Sequence, residues 1–126
     1  MSGIRIARIS LRIDAVYCVA LGLLIAVSAP LTSDSVALPP LLLAVIGVGT
    51  AAWGCYVWTA SYARPLRSRT RVVMVANVVA SAGLAATGLL AGTVVLLVTA
   101  LVLAVDVAAF AVSQGVALRR MAHPAA

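Results

Sequence analysis

The chain reads as an all-α protein, a polytopic membrane bundle of four transmembrane helices with both termini on the inner side, and three observations predict it. Hydrophobic residues make up 64% of the 126 residues and charged residues 10%, whereas an ordinary soluble domain has about 45–50% apolar and about 25% charged residues. The nine cationic residues are all arginines and fall in three clusters: Arg5, Arg8 and Arg12; Arg64, Arg67, Arg69 and Arg71; Arg119 and Arg120. The stretches between these clusters are long and apolar enough to cross a bilayer, which takes roughly 20 mostly apolar residues per helix. A length of 126 residues fits a single domain over the whole chain.

The first span covers about 10–30. Its apolar run from Ala15 to Ala29 extends backward through Ile13, Leu11 and Ile9, and it is expected to end at Pro30, because proline lacks the N–H that a helix interior needs. Ahead of it, Arg5, Arg8 and Arg12 step along one helix face beside Ile6, Ile9 and Ile13. That pattern is an amphipathic helix with its arginines at headgroup level, anchoring the first span. A cleavable secretory signal ending at Val27-Ser28-Ala29 is the rival reading. It is the weaker one, since proline directly after the cut is unfavourable and cleavage leaves an odd three-span remainder.

The second span, about 39–62, opens at Pro39-Pro40 and closes at Tyr62 before Pro65. The third and fourth, about 72–91 and 93–118, share a stretch from Val72 to Leu118 whose sole charged residue is Asp106. A tight turn near Gly88–Thr93 divides them. The Thr32–Leu38 loop carries only Asp34, so every arginine lies on one side, and the positive-inside rule makes that side cytoplasmic. The expected location is a bacterial cytoplasmic (inner) membrane, multi-pass, with both termini cytoplasmic. The bacterial reading comes from an Ala/Val/Arg-rich, lysine-free composition of the kind a GC-rich genome encodes.

The net charge of +6 is spread over short segments, with no soluble domain to present it, so nucleic acid is not an expected partner. Anionic lipid headgroups at the basic inner segments are, at about 1 kcal/mol per basic residue near the surface. Beyond lipid, the partner is a second copy of the chain or another membrane protein.

Asp106 carries the strongest hint of chemistry. The helical rise of about 1.5 Å per residue puts it about 20 Å from Arg119, near the bilayer midplane. An ionised carboxylate costs roughly 2.5–3.5 kcal/mol there even on lenient insertion scales. No cation lies at that depth, so a neutral, protonated carboxyl is expected, bonded by Thr50, Trp53 or Ser81. It is either a titratable coupling or ligand site, or an acid tying two helices together. A second polar set, Asp14, Asn77 and Gln114, lies nearer the arginines, in the same half as Tyr17, Tyr56, Trp58 and Tyr62. It forms a pocket open to the cytoplasm or an interfacial belt. For Asp14 an ion pair with a neighbouring arginine is the favoured reading, and for Asn77 and Gln114 interhelical hydrogen bonds of about 0.6 kcal/mol each. The candidate ligand or proton site is thus Asp106, Asn77, Gln114, Asp14 and Ser81.

Cys18 and Cys55 sit at similar depth on antiparallel spans, where buried thiols are the ordinary outcome and a disulfide the alternative if their faces meet. Cys18, Gly22 and Ala26 step by four along span one, and Gly47, Ala51 and Cys55 along span two; such stripes let helix backbones approach closely. The only histidine, His123, lies past the last span, and no phosphate-binding loop or nucleophile–base pair is present. No enzyme, no catalytic residue, no cofactor and no metal is therefore expected.

Leu11-Arg12-Ile13-Asp14-Ala15, Leu38-Pro39, Val75-Ala76-Asn77, and Phe110-Ala111-Val112-Ser113-Gln114 followed by Leu118-Arg119-Arg120 resemble a group of small four-span, actinobacterial-like integral membrane proteins. In that group an acidic residue stands two before the glutamine and an aromatic three after the asparagine, where this chain has Val112 and Ala80. The resemblance implies the four-span architecture and no particular activity. The size is also that of fluoride channels and small multidrug exporters, but no glutamate stands in span one and there is no Thr-Phe-Ser-Thr-Phe run.

Three functions remain open on the sequence. The leading one is a non-enzymatic accessory or scaffold component acting through helix–helix contacts. The second is a homo-oligomeric proton-coupled carrier or permeation unit with Asp106 as its titratable site. The third is an inner-leaflet binder of lipid or quinone.

Overall fold

A computed structural model describes residues 2–123 as four α-helices: α1 (Gly3–Val36), α2 (Pro40–Ala60), α3 (Leu66–Leu89) and α4 (Val94–Ala122). Each is long and apolar enough to cross a membrane. Met1 and residues 124–126, which the one-domain reading includes, lie outside the described residues.

Local chemistry sets the helix ends. The Ser2 side chain accepts from the Arg5 N–H and starts α1, satisfying one of the donors a helix N-terminus leaves open. The expected end at Pro30 is corrected: α1 runs through Pro30 to Val36. The missing N–H leaves only the Ala26 carbonyl without its helical partner, and spanning helices tolerate such a proline. The Ser28 hydroxyl donates to the Leu24 carbonyl at 2.6 Å, and the Thr32 hydroxyl to the Ser28 carbonyl at 3.1 Å. The chain turns at Ala37, the one described non-glycine residue with positive φ, and the Ser33 hydroxyl donates to the Leu38 carbonyl at 2.5 Å.

Pro40 at the first position of α2 has no N–H to leave unpaired. α3 begins at Leu66, directly after Pro65, so Arg67, Arg69 and Arg71 ride on its first turns. Cations at a helix N-terminus oppose the helix dipole, which here is outweighed by whatever fixes the basic segment at this end of the bundle. Thr93 caps α4 by accepting from the Leu96 N–H at 3.2 Å, and Arg119 and Arg120 in its last turn suit the negative end of the dipole.

Helix α1 packs against α2 on one side and α4 on the other, α3 packs against α4, and α2 and α3 scarcely touch. The α1–α2 seam is made by the small-residue stripes. A Cβ built on Gly22 would run into the Ala51 and Gly47 backbones, and one on Gly47 into Ala26 and Gly22. The apolar core gathers at the arginine-bearing end, where Leu11, Val57 and Val73 are wholly buried beside Ala7, Ala60, Leu66 and Ala117. Outward positions carry large apolar side chains, Val27 at 79% and Val105 at 69% exposed among them. A surface of that kind calls for an apolar solvent.

The three arginine clusters meet at one end. The Arg8 Nε donates to the Ser61 carbonyl at 3.4 Å and the Arg12 Nε to the Ser61 hydroxyl at 3.5 Å. The Arg69 guanidinium donates to the Tyr56 hydroxyl at 3.1 Å. Gly3 lies against the Ala117 and Met121 backbone, which brings the start of α1 beside the end of α4.

A buried polar cluster under an apolar cavity

Asp14, Asn77 and Gln114 come from α1, α3 and α4, and the fold brings them into one buried cluster. Asp14 is 1%, Asn77 3% and Gln114 0% exposed. The Asn77 amide donates to Asp14 Oδ2 at 2.7 Å and to Gln114 Oε1 at 3.0 Å. The Gln114 amide donates to the same Asp14 Oδ2 at 3.0 Å, and the Cys18 thiol, one turn along α1, to Asp14 Oδ1 at 3.4 Å. The arrangement is closed: each of the three residues bonds both others.

The favoured ion pair for Asp14 is thereby corrected. Its partners are amides and a thiol, while Arg12 turns the other way, its guanidinium 4.8 Å from the Tyr62 ring centroid and 5.8 Å from that of Trp58. The cause is the rotation of α1. Asp14 shares the inward face with Leu11, Ala15 and Cys18, all buried. A carboxyl group there is out of reach of an arginine that bends toward the end of α2.

Asp106 stands apart from this cluster and is half-buried. The expected partners Thr50, Trp53 and Ser81 are corrected to Tyr17, whose hydroxyl donates to Asp106 Oδ2 at 2.7 Å. Tyr17 is held in place by Phe110, edge to face at 5.3 Å between centroids. Ser81 instead donates to the Ala104 carbonyl at 2.8 Å, tying α3 to α4. Thr50 donates to the Ile46 carbonyl at 2.8 Å, within its own helix. The disulfide alternative is also settled: Cys18 is a buried and Cys55 an exposed free thiol.

Next to the cluster lies a cavity of about 480 Å³. Its walls come from all four helices: Tyr17 and Leu21 of α1, Gly49, Thr50 and Trp53 of α2, Asn77, Ala80 and Leu84 of α3, and Leu103 and Val107 of α4. Asn77 belongs to both, so the cluster forms part of the cavity wall. Both α2 and α3 line the cavity, and the two scarcely touch each other. Small residues on those two helices, Gly49 and Ala80, keep the space open, and a Cβ added at Gly49 would meet nothing within 4 Å.

Sequence reasoning found Asn77 but not the cavity. Gly49, Leu21 and Leu84 carry no chemistry that marks them, and no periodicity distinguishes a wall facing a void from one facing a neighbour. The one available signal was the pairing of Thr50 with Trp53 at the depth of Asp106. Among the described residues no group of His, Cys, Asp and Glu is arranged to hold a metal ion. No protein-family model, curated protein or solved structure matches the chain.

Proposed function

We propose that this chain is a non-enzymatic multi-pass protein of a bacterial inner membrane, with both termini cytoplasmic, that holds one lipid-like molecule in the cavity lined by all four helices. The observation that carries the reading is the cavity itself. Its 480 Å³ falls within the range of about 300–1,000 Å³ typical of small-molecule sites, which are apolar with a few placed polar groups. Two of the helices that line it, α2 and α3, scarcely touch each other, and in this reading a ligand enters between them from the bilayer without crossing water. The scaffold reading drew on the small-residue stripes of α1 and α2, and those stripes pack on each other within the chain. The carrier reading drew on Asp106, whose carboxyl group is bonded by Tyr17 of the same chain.

Native mass spectrometry of the protein extracted gently from its own membrane tests the proposal. The wild type is expected to retain one lipid-sized adduct. Gly49→Leu fills open space in the cavity wall, and it is expected to lose the adduct while far-UV circular dichroism stays unchanged. A wild type without adduct, or an adduct that survives Gly49→Leu, would sink the reading. Stable recovery with a different membrane protein in place of the adduct would favour the accessory-subunit function.

A further inference from the structure

The polar atoms on the cavity wall have an unbalanced hydrogen-bond inventory. Both hydrogen bonds that hold Asn77 are donated by its amide nitrogen, to Asp14 and Gln114. An amide NH₂ has two hydrogens, so the donor side is fully committed and the carbonyl Oδ1 is left. The Thr50 hydroxyl gives its hydrogen to the Ile46 carbonyl, and the Tyr17 hydroxyl gives its own to Asp106. The Cys18 thiol, also on the wall, is committed to Asp14. Each of these groups keeps lone pairs and has no hydrogen to offer. The remaining hydrogen-bond donor among the lining side chains is Trp53, whose indole N–H can only donate.

Charge narrows the ligand further. Two carboxyl groups stand directly behind the wall, Asp14 behind Asn77 and Asp106 behind Tyr17, and no arginine lines the cavity among the described residues. An anionic headgroup gains nothing here. A ketone, ester or ether can accept from Trp53 but leaves the Asn77 oxygen without a donor.

Resting on the cavity reading above, we propose that the ligand is an uncharged long-chain lipid of the bilayer with a free hydroxyl head. The hydroxyl donates to the Asn77 carbonyl oxygen, and its own oxygen faces the remaining donor. The chain fills the apolar part of the cavity toward Leu84 and Leu103. A hydroxyl is the smallest uncharged group that both donates and accepts, and a buried acceptor left without a donor is penalised strongly enough to discriminate between close analogues.

The chain holds its own reporter. Trp53 lines the cavity and Trp58, the other tryptophan, does not. The protein carrying Trp58→Phe is reconstituted in phosphatidylcholine vesicles, and its Trp53 fluorescence is titrated with three dibrominated quenchers of equal chain length: a long-chain alcohol, its methyl ether and the matching carboxylic acid. The alcohol is expected to reach half-maximal quenching at about tenfold lower mole fraction than the ether or the acid, the size of one net hydrogen bond. Adding Gly49→Leu is expected to abolish the saturable part. Equal quenching by alcohol and ether, still removed by Gly49→Leu, would overturn the hydroxyl preference and leave the cavity as a lipid site. Preferential quenching by the acid would overturn it too. Absence of saturable quenching by all three probes would remove the cavity reading along with it.

Discussion

Gln114 is wholly buried and accepts from Asn77 while donating to Asp14, so its loss strips one donor from a buried carboxyl group and one acceptor from a buried amide. Leaving such groups short costs about 1–3 kcal/mol each, although hydrogen bonds between membrane helices average nearer 0.6 kcal/mol. Gln114→Leu is therefore expected to lower stability by about 1–3 kcal/mol. Ser81→Ala removes a single bond to a backbone carbonyl of α4 and is expected to cost less than about 1 kcal/mol. Equilibrium unfolding in mixed micelles, driven by increasing denaturing detergent, ranks the two. Equal losses would mean the closed cluster adds nothing beyond its separate bonds. The sequence revealed that Asp14, Asn77 and Gln114 lie at a common depth, and it did so because distance from a basic flank can be counted along a helix. It could not reveal the partner of Asp106, because the count assumed that all arginines mark one level. Gly3 lies beside Ala117 and Met121, Ser10 bonds Ser113 at 2.6 Å, and Tyr17 bonds Asp106. In that antiparallel register Arg12 sits near the level of Ala111, about two turns deeper than Arg119. Tyr17 thereby comes level with Asp106.

At the scale of elements, α1–α2, α3–α4 and α1–α4 are packed seams, and α2 and α3 scarcely touch. The α1–α2 seam depends on backbone approach at Gly22, Gly47 and Gly54, where an added Cβ meets backbone atoms of the opposite helix. Backbone cannot swing aside as a flexible side chain can, so the helices themselves must separate. Gly22→Leu is expected to cost about 1–3 kcal/mol, the usual penalty of overpacking, in the same unfolding experiment. Gly83→Ala is the control: nothing lies within 4 Å of its added Cβ, and alanine in a helix interior is favoured over glycine by about 1 kcal/mol. It should be neutral or mildly stabilising, and a loss as large as that of Gly22→Leu would refute this account of the seam. The stripes themselves were legible in the sequence as small residues at every fourth position. Their use within one chain was not, since the same stripe serves an internal seam or a dimer. Helix ends followed a similar division. Pro40 opens α2, where the sequence marked it, and Pro65 directly precedes α3, where the sequence marked only the end of span two and put the next span at about 72. Pro30 looks the same in the sequence but lies mid-helix, where its missing N–H costs a single bond, to the Ala26 carbonyl.

At the scale of the whole molecule, the two ends differ in charge. One end holds the buried core, the polar cluster and all three arginine groups. Arginine resists transfer across a membrane, so the proposed orientation keeps the end that collects nine of them on the side of synthesis. The opposite end has only Asp34, in the last turn of α1, and no charge in the turn between α3 and α4. The cavity adjoins the cluster at the arginine-bearing end, so in the proposed orientation its polar wall is expected toward the cytoplasmic leaflet and its apolar depth toward the midplane. Single cysteines in a Cys18→Ser, Cys55→Ala background read the orientation directly, serine preserving a donor to Asp14. A membrane-impermeant maleimide is expected to label Ser35→Cys, exposed in the last turn of α1, in intact cells. Ser68→Cys, on the exposed first turn of α3, should react only after permeabilisation. The reverse pattern would turn the molecule over and put the polar wall of the cavity in the outer leaflet. Equal labelling of both sites in intact cells would mean that insertion is mixed and that the arginines do not set it.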